Sequence, residues 1–373
     1  MKTIKMIDLP RIHAEYQCEL DDAVLSAVHS GQYIGGPKVT SFEQSCGTYL
    51  GASIVGVGNG TDALQIALMA LGIGSGDEVI VPAFTYAASA EVIALLGATA
   101  IWCDVDEHTF CIDAESAAKR VTQRTKAIIA VHLYGQCADI EVLETLTGGI
   151  PIIEDTAQAF GAQFTSGKYE GKYAGTVGAF GTFSFFPTKS LGALGDGGAV
   201  CSQDPSLLAK AQMIAKHGQS KKYIHDTIGI NSRLDPLQAA ALDVKLNYFN
   251  RSISRKKQLA ERYNNLLSDL PQIVLPKHSP YSTHVYHQFT IQVGNGHRDR
   301  LQEHLKNSGI ATMIYYPKTL NTQHAYVHFD PNAEVPVSTE LAQSVLSLPI
   351  DELLSEEDQI YIATTIASYF TAL

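Results

Sequence analysis

Apolar positions along the chain fall into two regimes. From Glu15 to Ser30, the residues Leu20, Ala23, Val24, Ala27 and Val28 recur at helical spacing and Gly31 follows as a stop, which predicts an amphipathic helix opening the protein. Beyond it, short β-rich runs alternate with helical stretches. Ser53–Val57 precedes Thr61–Gly72, Glu78–Pro82 precedes Tyr86–Gly97, and Thr99–Val105, Lys126–Gly135 and Pro151–Gly161 continue the series. Such alternation predicts a largely parallel sheet wrapped by helices, and the lack of a clean period of two suits strands covered on both faces.

Near residue 249 the pattern changes. A long apolar helix, Asp235–Phe249, leads into the more charged stretch Arg251–Leu267. This change is taken as a boundary between a large domain, 1–249, and a small C-terminal α+β domain, 250–373. The latter is expected to hold a strand at Tyr286–Val293, a helix from near Arg298, a second strand at Ile310–Tyr316 and a terminal helix from Ser355.

Composition narrows the class. Of 373 residues 45% are apolar and 17% charged, against about 25% charged in an average soluble protein, so a packed core is expected. Acidic residues (38) outnumber basic ones (27), and a net charge of −11 argues against nucleic acid or anionic lipid as a partner. No apolar run approaches the roughly 20 residues that span a bilayer, and the N-terminus has no stretch of signal-peptide length, which points to the cytoplasm and away from the membrane. The six cysteines form no C-x-x-C, so neither zinc nor a disulfide framework is expected. His284 and His287 make an H-x-x-H without an acidic ligand, in what reads as a strand, and no metal is expected there.

Four segments carry chemistry. Asn59-Gly60-Thr61-Asp62 lies after a strand and opens a helix, where free N–H groups and the helix dipole suit a phosphate; alternatively, Thr61 or Asp62 simply caps the helix. Ile152–Gln158 is an apolar strand ending in Glu154 and Asp155, at the strand end where open α/β sheets bind ligands, so that Asp155 either meets a buried cationic ligand or caps the next helix. Lys189 follows the very apolar Thr182–Pro187 in a glycine-rich stretch, surroundings that lower an ammonium's proton affinity and free its lone pair. Gly229–Asp235 is a polar stop before a helix and says little alone. Together, an anion-binding turn, a strand-end aspartate and a lysine 34 residues later are what pyridoxal 5′-phosphate needs for its phosphate, ring nitrogen and aldehyde.

The segments NGTDAL, IEDTAQAFGA, SFFPTK, GDGGAV and GINSRLD resemble, in order and spacing, the DegT/StrS family of nucleotide-sugar aminotransferases, from about Ile7 to near the C-terminus. The resemblance implies a fold-type I pyridoxal-phosphate-dependent transferase: an α/β protein with a large, mostly parallel seven-stranded domain and a smaller C-terminal α+β domain. It also implies a homodimer with active sites at the subunit interface. Matched residue by residue, Lys189 looks like the cofactor-bearing lysine and Asp155 like the partner of the pyridinium N–H. Gln158 matches the group that bonds the ring hydroxyl, and Tyr86 the aromatic that stacks on the ring. Gly60, Thr61, Asp62 and Ser184 look like phosphate donors, with Asn231 supplied by the neighbouring subunit.

Within the family the closest likeness is to aminotransferases acting on UDP-2-acetamido-2-deoxy-3-keto-glucuronic acid in O-antigen and lipopolysaccharide biosynthesis. It lies in Gly31–Ile34, the NGTDALQ run, Leu133–Asp139, His217–Gln219 and Leu320-Asn321. Arg233 is then read as a carboxylate-binding guanidinium from the neighbouring subunit, or as a structural residue of the widespread S-R-L-D motif. Tyr315 and Tyr316 lie where the sugar should sit, with Tyr315 in place of the family's usual histidine. L-Glutamate is the amino donor the family implies. The alternatives are a dTDP-3-keto or 4-keto-6-deoxysugar aminotransferase and a non-catalytic pyridoxal-phosphate-binding regulator.

Overall fold

The computed structural model describes residues 3–372. Seven strands build its central sheet: β1 (Ile54–Val57), β2 (Glu78–Pro82), β3 (Thr99–Cys103), β4 (Thr125–Val131), β5 (Ile152–Asp155), β6 (Phe180–Ser184) and β7 (Gly198–Cys201). Their order is β1-β7-β6-β5-β4-β2-β3. Neighbours pair in parallel from β3 through β6, and β7 lies antiparallel between β6 and β1. The carboxyl ends of β2, β4, β5 and β6 therefore open on one edge of the sheet.

Strand alternation explains the unbroken apolar runs. Val79, Val81, Ala127 and Ile129 pack in one apolar core while Ile80, Ile128 and Ala130 pack in another, so each strand is buried on both faces. Helices Gly60–Leu71 and Ala88–Leu95 supply the first core, and helix Pro37–Leu50 supplies the second through Phe42, Cys46 and Leu50.

Helix Pro236–Leu267 runs without a break through 249/250. Phe249 and Ile253 belong to the core under the large sheet, whereas Leu259, Ala260, Tyr263 and Leu267 belong to a third core. The change in composition thus marks where one rigid helix passes from one core to the next. A hairpin, β8 (Gln219–Lys221) and β9 (Ile224–His225), precedes this helix, and the third core lies under an antiparallel sheet of β10 (Ile273–Val274), β11 (Phe289–Val293) and β12 (Val345–Leu348).

The expected opening helix is Gln17–His29, preceded by a short helix, Leu9–Ala14, that ends before Glu15 and Tyr16. Two local expectations need correcting. Ile310–Tyr316 is not a strand: it makes single bridges to Ile4 and Ser347, through Ala311 N–H to Ile4 O and Met313 N–H to Ser347 O, and then leaves the sheet for the cavity wall. The third strand of the small sheet is instead Val345–Leu348. Residues 284–287 likewise precede β11, because Tyr286 adopts φ +48° and breaks the extended run. Among the described residues no helix is long and apolar enough to cross a membrane.

Candidate active site

β5 ends at Asp155, flanked in register by Val131 of β4 and Thr182 of β6. Its carboxylate is buried and clamped: Ser89 O–H donates to Oδ2 at 2.8 Å, and Ala157 N–H donates to Oδ1 at 3.1 Å. Glu154, one residue earlier, points to the other face of the sheet. There it accepts from His132 Nε2 (2.8 Å) and from the N–H groups of Gly175, Val177 and Gly178. His132 Nδ1 accepts from Ala138 N–H, so Nε2 carries the ring proton and the pair is a neutral imidazole on a carboxylate. One strand thus carries two carboxylates in separate settings, Glu154 pinning a loop and Asp155 lining a cavity.

Lys189 stands in a tight turn after β6. Lys189 N–H bonds Phe186 O at 2.8 Å and Ala193 N–H bonds Phe185 O at 2.7 Å. Only glycine fits at 192, where a Cβ would lie 2.3 Å from Pro187 O. Burial pushes the Lys189 ammonium down from 10.5 to about 8, against the opposing pull of the Asp155 carboxylate. Such a value leaves roughly a tenth of the amine neutral at pH 7, hundreds of times more than a solvated lysine.

The anion end is the N-terminus of helix Gly60–Leu71. Asn59 is its cap, accepting Asp62 N–H at 2.8 Å, so neither Thr61 nor Asp62 fills that role. The N–H groups of Gly60 and Thr61 have no acceptor among the described residues and remain available to an anion. Gly60 is packed against Ser184, where an added Cβ would lie 2.7 Å from Ser184 Cβ.

A cavity of about 480 Å³ joins these parts. Gly60, Thr61, Ser184, Asp155 and Lys189 line it, and Tyr86, Gln158, Tyr315 and Tyr316 form its remaining expected walls. Gln158 is held at both ends, Oε1 accepting Tyr134 N–H at 2.8 Å and Nε2 donating to the Tyr316 hydroxyl at 3.1 Å. Tyr86 and Tyr316 lie with ring centroids 6.1 Å apart, and Tyr134 donates its hydroxyl to Tyr315 O.

Three sequence candidates lie elsewhere. Asp62 is not in the cavity wall and its N–H is taken by the cap. Asn231 and Arg233 also lie outside it, on either side of Ser232, whose Oγ accepts Gly58 N–H at 2.9 Å and ties the segment to the turn before Gly60. The Arg233 guanidinium makes no hydrogen bond or ion pair among the described residues. Sequence reasoning missed Ser89, which clamps Asp155 from 66 positions away, and His287 and Gln288 in the wall.

The residues present fit pyridoxal 5′-phosphate. A clamped carboxylate, a lysine poised near neutrality and two open helix N–H groups share one cavity. The buried Thr85 Oγ1 in its wall has no partner among the described residues, as expected of a site completed by a polar ligand.

Comparison with known proteins agrees with this geometry. Residues 15–367 match the DegT/DnrJ/EryC1/StrS aminotransferase family. The chain is 42% identical over 354 residues, covering 94% of it and 96% of the relative, to the UDP-2-acetamido-2-deoxy-3-oxo-D-glucuronate aminotransferase of Pseudomonas aeruginosa. It is 41% identical over 373 residues, with 98% of each chain covered, to a pleiotropic regulatory protein of Geobacillus stearothermophilus. A crystal structure of S. venezuelae DesV in complex with a ketimine intermediate superposes with TM-score 0.94 at 37% identity, covering 99% of both chains. The chain belongs to the DegT/DnrJ/EryC1/StrS aminotransferase family and is a pyridoxal-phosphate-dependent aminotransferase.

Proposed function

We propose that the protein transfers an amino group from L-glutamate to the 3-keto group of UDP-2-acetamido-2-deoxy-3-keto-glucuronic acid, for cytoplasmic synthesis of an O-antigen or lipopolysaccharide sugar. The observation that carries the aminotransferase chemistry is the placement of clamped Asp155 and half-buried Lys189 in one cavity. The likeness to the P. aeruginosa aminotransferase supports the choice of sugar.

When bound, the cofactor supplies an electron sink for the carbanion left as an amino acid loses its α-proton. Asp155, oriented by Ser89 and Ala157, accepts the pyridinium N–H and keeps that proton in place. Gly60 and Thr61 N–H, with the Ser184 hydroxyl, hold the phosphate, and Gln158 meets the ring hydroxyl. Lys189 Nζ takes the α-proton of the donor in the first half-reaction and returns a proton to the sugar carbon in the second. The oxo acid leaves before the sugar enters, so ping-pong kinetics are expected. Tyr86 offers its ring face to the cofactor ring, and Tyr315 and Tyr316 offer ring faces and hydroxyls to the sugar.

Arg233 and Asn231 are assigned across a homodimer interface. Both lie outside their own chain's cavity, and the unpaired Arg233 guanidinium suits a bidentate pair with a uronate carboxylate in the neighbouring subunit. Arg233→Ala tests this. Leaving a carboxylate unpaired at an interface costs about 2 to 5 kcal/mol, which raises KM for the 3-keto-uronate by roughly 30-fold or more. A neutral keto-sugar nucleotide should be nearly indifferent. Equal losses on both would make Arg233 an interface residue, and a wild-type preference for the neutral sugar would move the assignment to a dTDP-keto-deoxysugar.

A further inference from the structure

We propose that Lys245 is a positioning residue for Lys189: its ammonium, reaching from the long helix, holds the carbonyl of Gly192 and so fixes the turn from which Lys189 swings as it moves protons. This inference rests on the assignment of Lys189 as the cofactor-bearing, proton-moving lysine.

Lys245 lies on helix Pro236–Leu267, 53 positions from Gly192. Its Nζ donates to Gly192 O at 2.7 Å and to His13 Nε2, on helix Leu9–Ala14, at 2.9 Å. Three segments distant in sequence thus meet at one nitrogen. A lysine is rarely buried unless it is paired, yet Lys245 is 8% exposed and spends its donors on a carbonyl and an imidazole. Burial takes it down to about 8, against the opposing pull of Glu352, so it is still mainly an ammonium at neutral pH. Burial, followed by the charge of Lys245, lowers His13 to about 4, which keeps that imidazole neutral and able to accept.

The turn needs such a tether. Its two closing bonds, from Lys189 N–H to Phe186 O and from Ala193 N–H to Phe185 O, are internal to residues 185–193. Leu191 and Ala193 anchor the far limb in the core, but Gly192 O has no donor other than Lys245 Nζ among the described residues. The turn also borders two spaces, the cavity of about 480 Å³ and a second of about 50 Å³ lined by Lys189, Gly192, Lys245 and His13. Gly192 can carry no side chain to fill the second, since a Cβ there would lie 2.3 Å from Pro187 O. Lys189 Nζ must stay free to change partners, so any constraint on it has to act through its backbone. The Lys245 ammonium supplies that constraint where packing does not.

The test compares Lys245→Met, which keeps the stem and loses the donors, with Lys245→Arg, which keeps a cationic donor. In cofactor-free protein, amide hydrogen exchange is followed by mass spectrometry in peptides covering residues 185–194, with β5 as internal reference. The rate of pyridoxal-phosphate attachment is followed by visible absorbance. Met is expected to speed exchange in the turn by roughly tenfold with β5 unchanged, and to slow attachment by a similar factor. It should lower kcat about tenfold while KM for donor and sugar stays within about twofold, and Arg should recover most of each loss. Wild-type exchange and kcat in the Met variant would overturn the proposal. So would losses equal in Met and Arg that extend to β5 or track a fall in melting temperature, since Lys245 would then act on the fold as a whole. Lys189→Ala is the control. Lysine-bound absorbance persisting there would remove the assignment of Lys189, whereas the exchange result needs no cofactor and decides the tether by itself.

Discussion

Replacing Lys189 by methionine in the cofactor-free protein should make the fold more stable near neutral pH and leave it no more stable in alkali. Folding lowers the proton affinity of this ammonium from 10.5 to about 8. At 1.36 kcal/mol per unit the full shift corresponds to about 3 kcal/mol, and the solvent reach of a half-buried side chain reduces this to about 2 kcal/mol. Below pH 8 the amine is charged in both folded and unfolded chains, and the wild type bears the whole desolvation cost. Between pH 8 and 10.5 the folded protein releases the proton while the unfolded chain retains it, so wild-type stability rises with pH. Above 10.5 both states are neutral and the cost is gone. Methionine nearly matches the lysine stem in volume and opens no cavity. Urea denaturation of both cofactor-free proteins across this range should therefore show a stability gap near pH 7 that closes by about pH 10.5. Equal stability at pH 7, or a gap independent of pH, would refute a buried, destabilised ammonium at this position.

Three further substitutions probe the rest of the site. Asp155→Asn should retain cofactor, seen by its visible absorbance, while kcat falls roughly 100- to 10,000-fold; a near-normal kcat would reduce Asp155 to a structural role. Ser89→Ala removes one of the two donors on the Asp155 carboxylate and should lower kcat about tenfold, with KM for the sugar little changed in steady-state assays. Gly60→Ala places a Cβ 2.7 Å from Ser184 Cβ and should weaken pyridoxal-phosphate affinity by about tenfold or more in absorbance titrations, since the helix N-terminus must move away from Ser184.

Sequence pattern carried the large sheet well, because strands buried on both faces leave unbroken apolar runs and parallel connections force helices between them. It drew attention to Asp155 and Lys189 for a related reason, the first being a charged residue that ends a strongly apolar strand and the second one that follows such a strand in a turn. Ile310–Tyr316 misled because apolar, β-branched and aromatic residues also line a cavity wall, and periodicity cannot tell a sheet edge from a cleft. Val345–Leu348 escaped notice because its serine reads as polar, whereas Ser347 is buried with its hydroxyl paired to Thr290 at 2.8 Å. Ser89 acts through a contact that spans 66 residues, and nothing local distinguishes such a serine from any other helix residue. Asn59 was within reach: an asparagine just before an apolar helix is a strong cap, and choosing between it and Thr61 needed the backbone dihedrals.

The most direct test of the central claim is a single half-reaction. Protein loaded with pyridoxamine phosphate is mixed in turn with the UDP-linked 3-keto-uronate, a neutral UDP-linked 3-keto sugar and dTDP-linked 3-keto and 4-keto deoxysugars, and the return of the absorbance of lysine-bound cofactor is followed. The expected result is rapid return with the uronate, slower return with the neutral sugars, and loss of that preference in Arg233→Ala. Return with none of the sugars would contradict an aminotransferase of nucleotide-linked sugars, and equal or faster return with a neutral sugar would contradict the uronate.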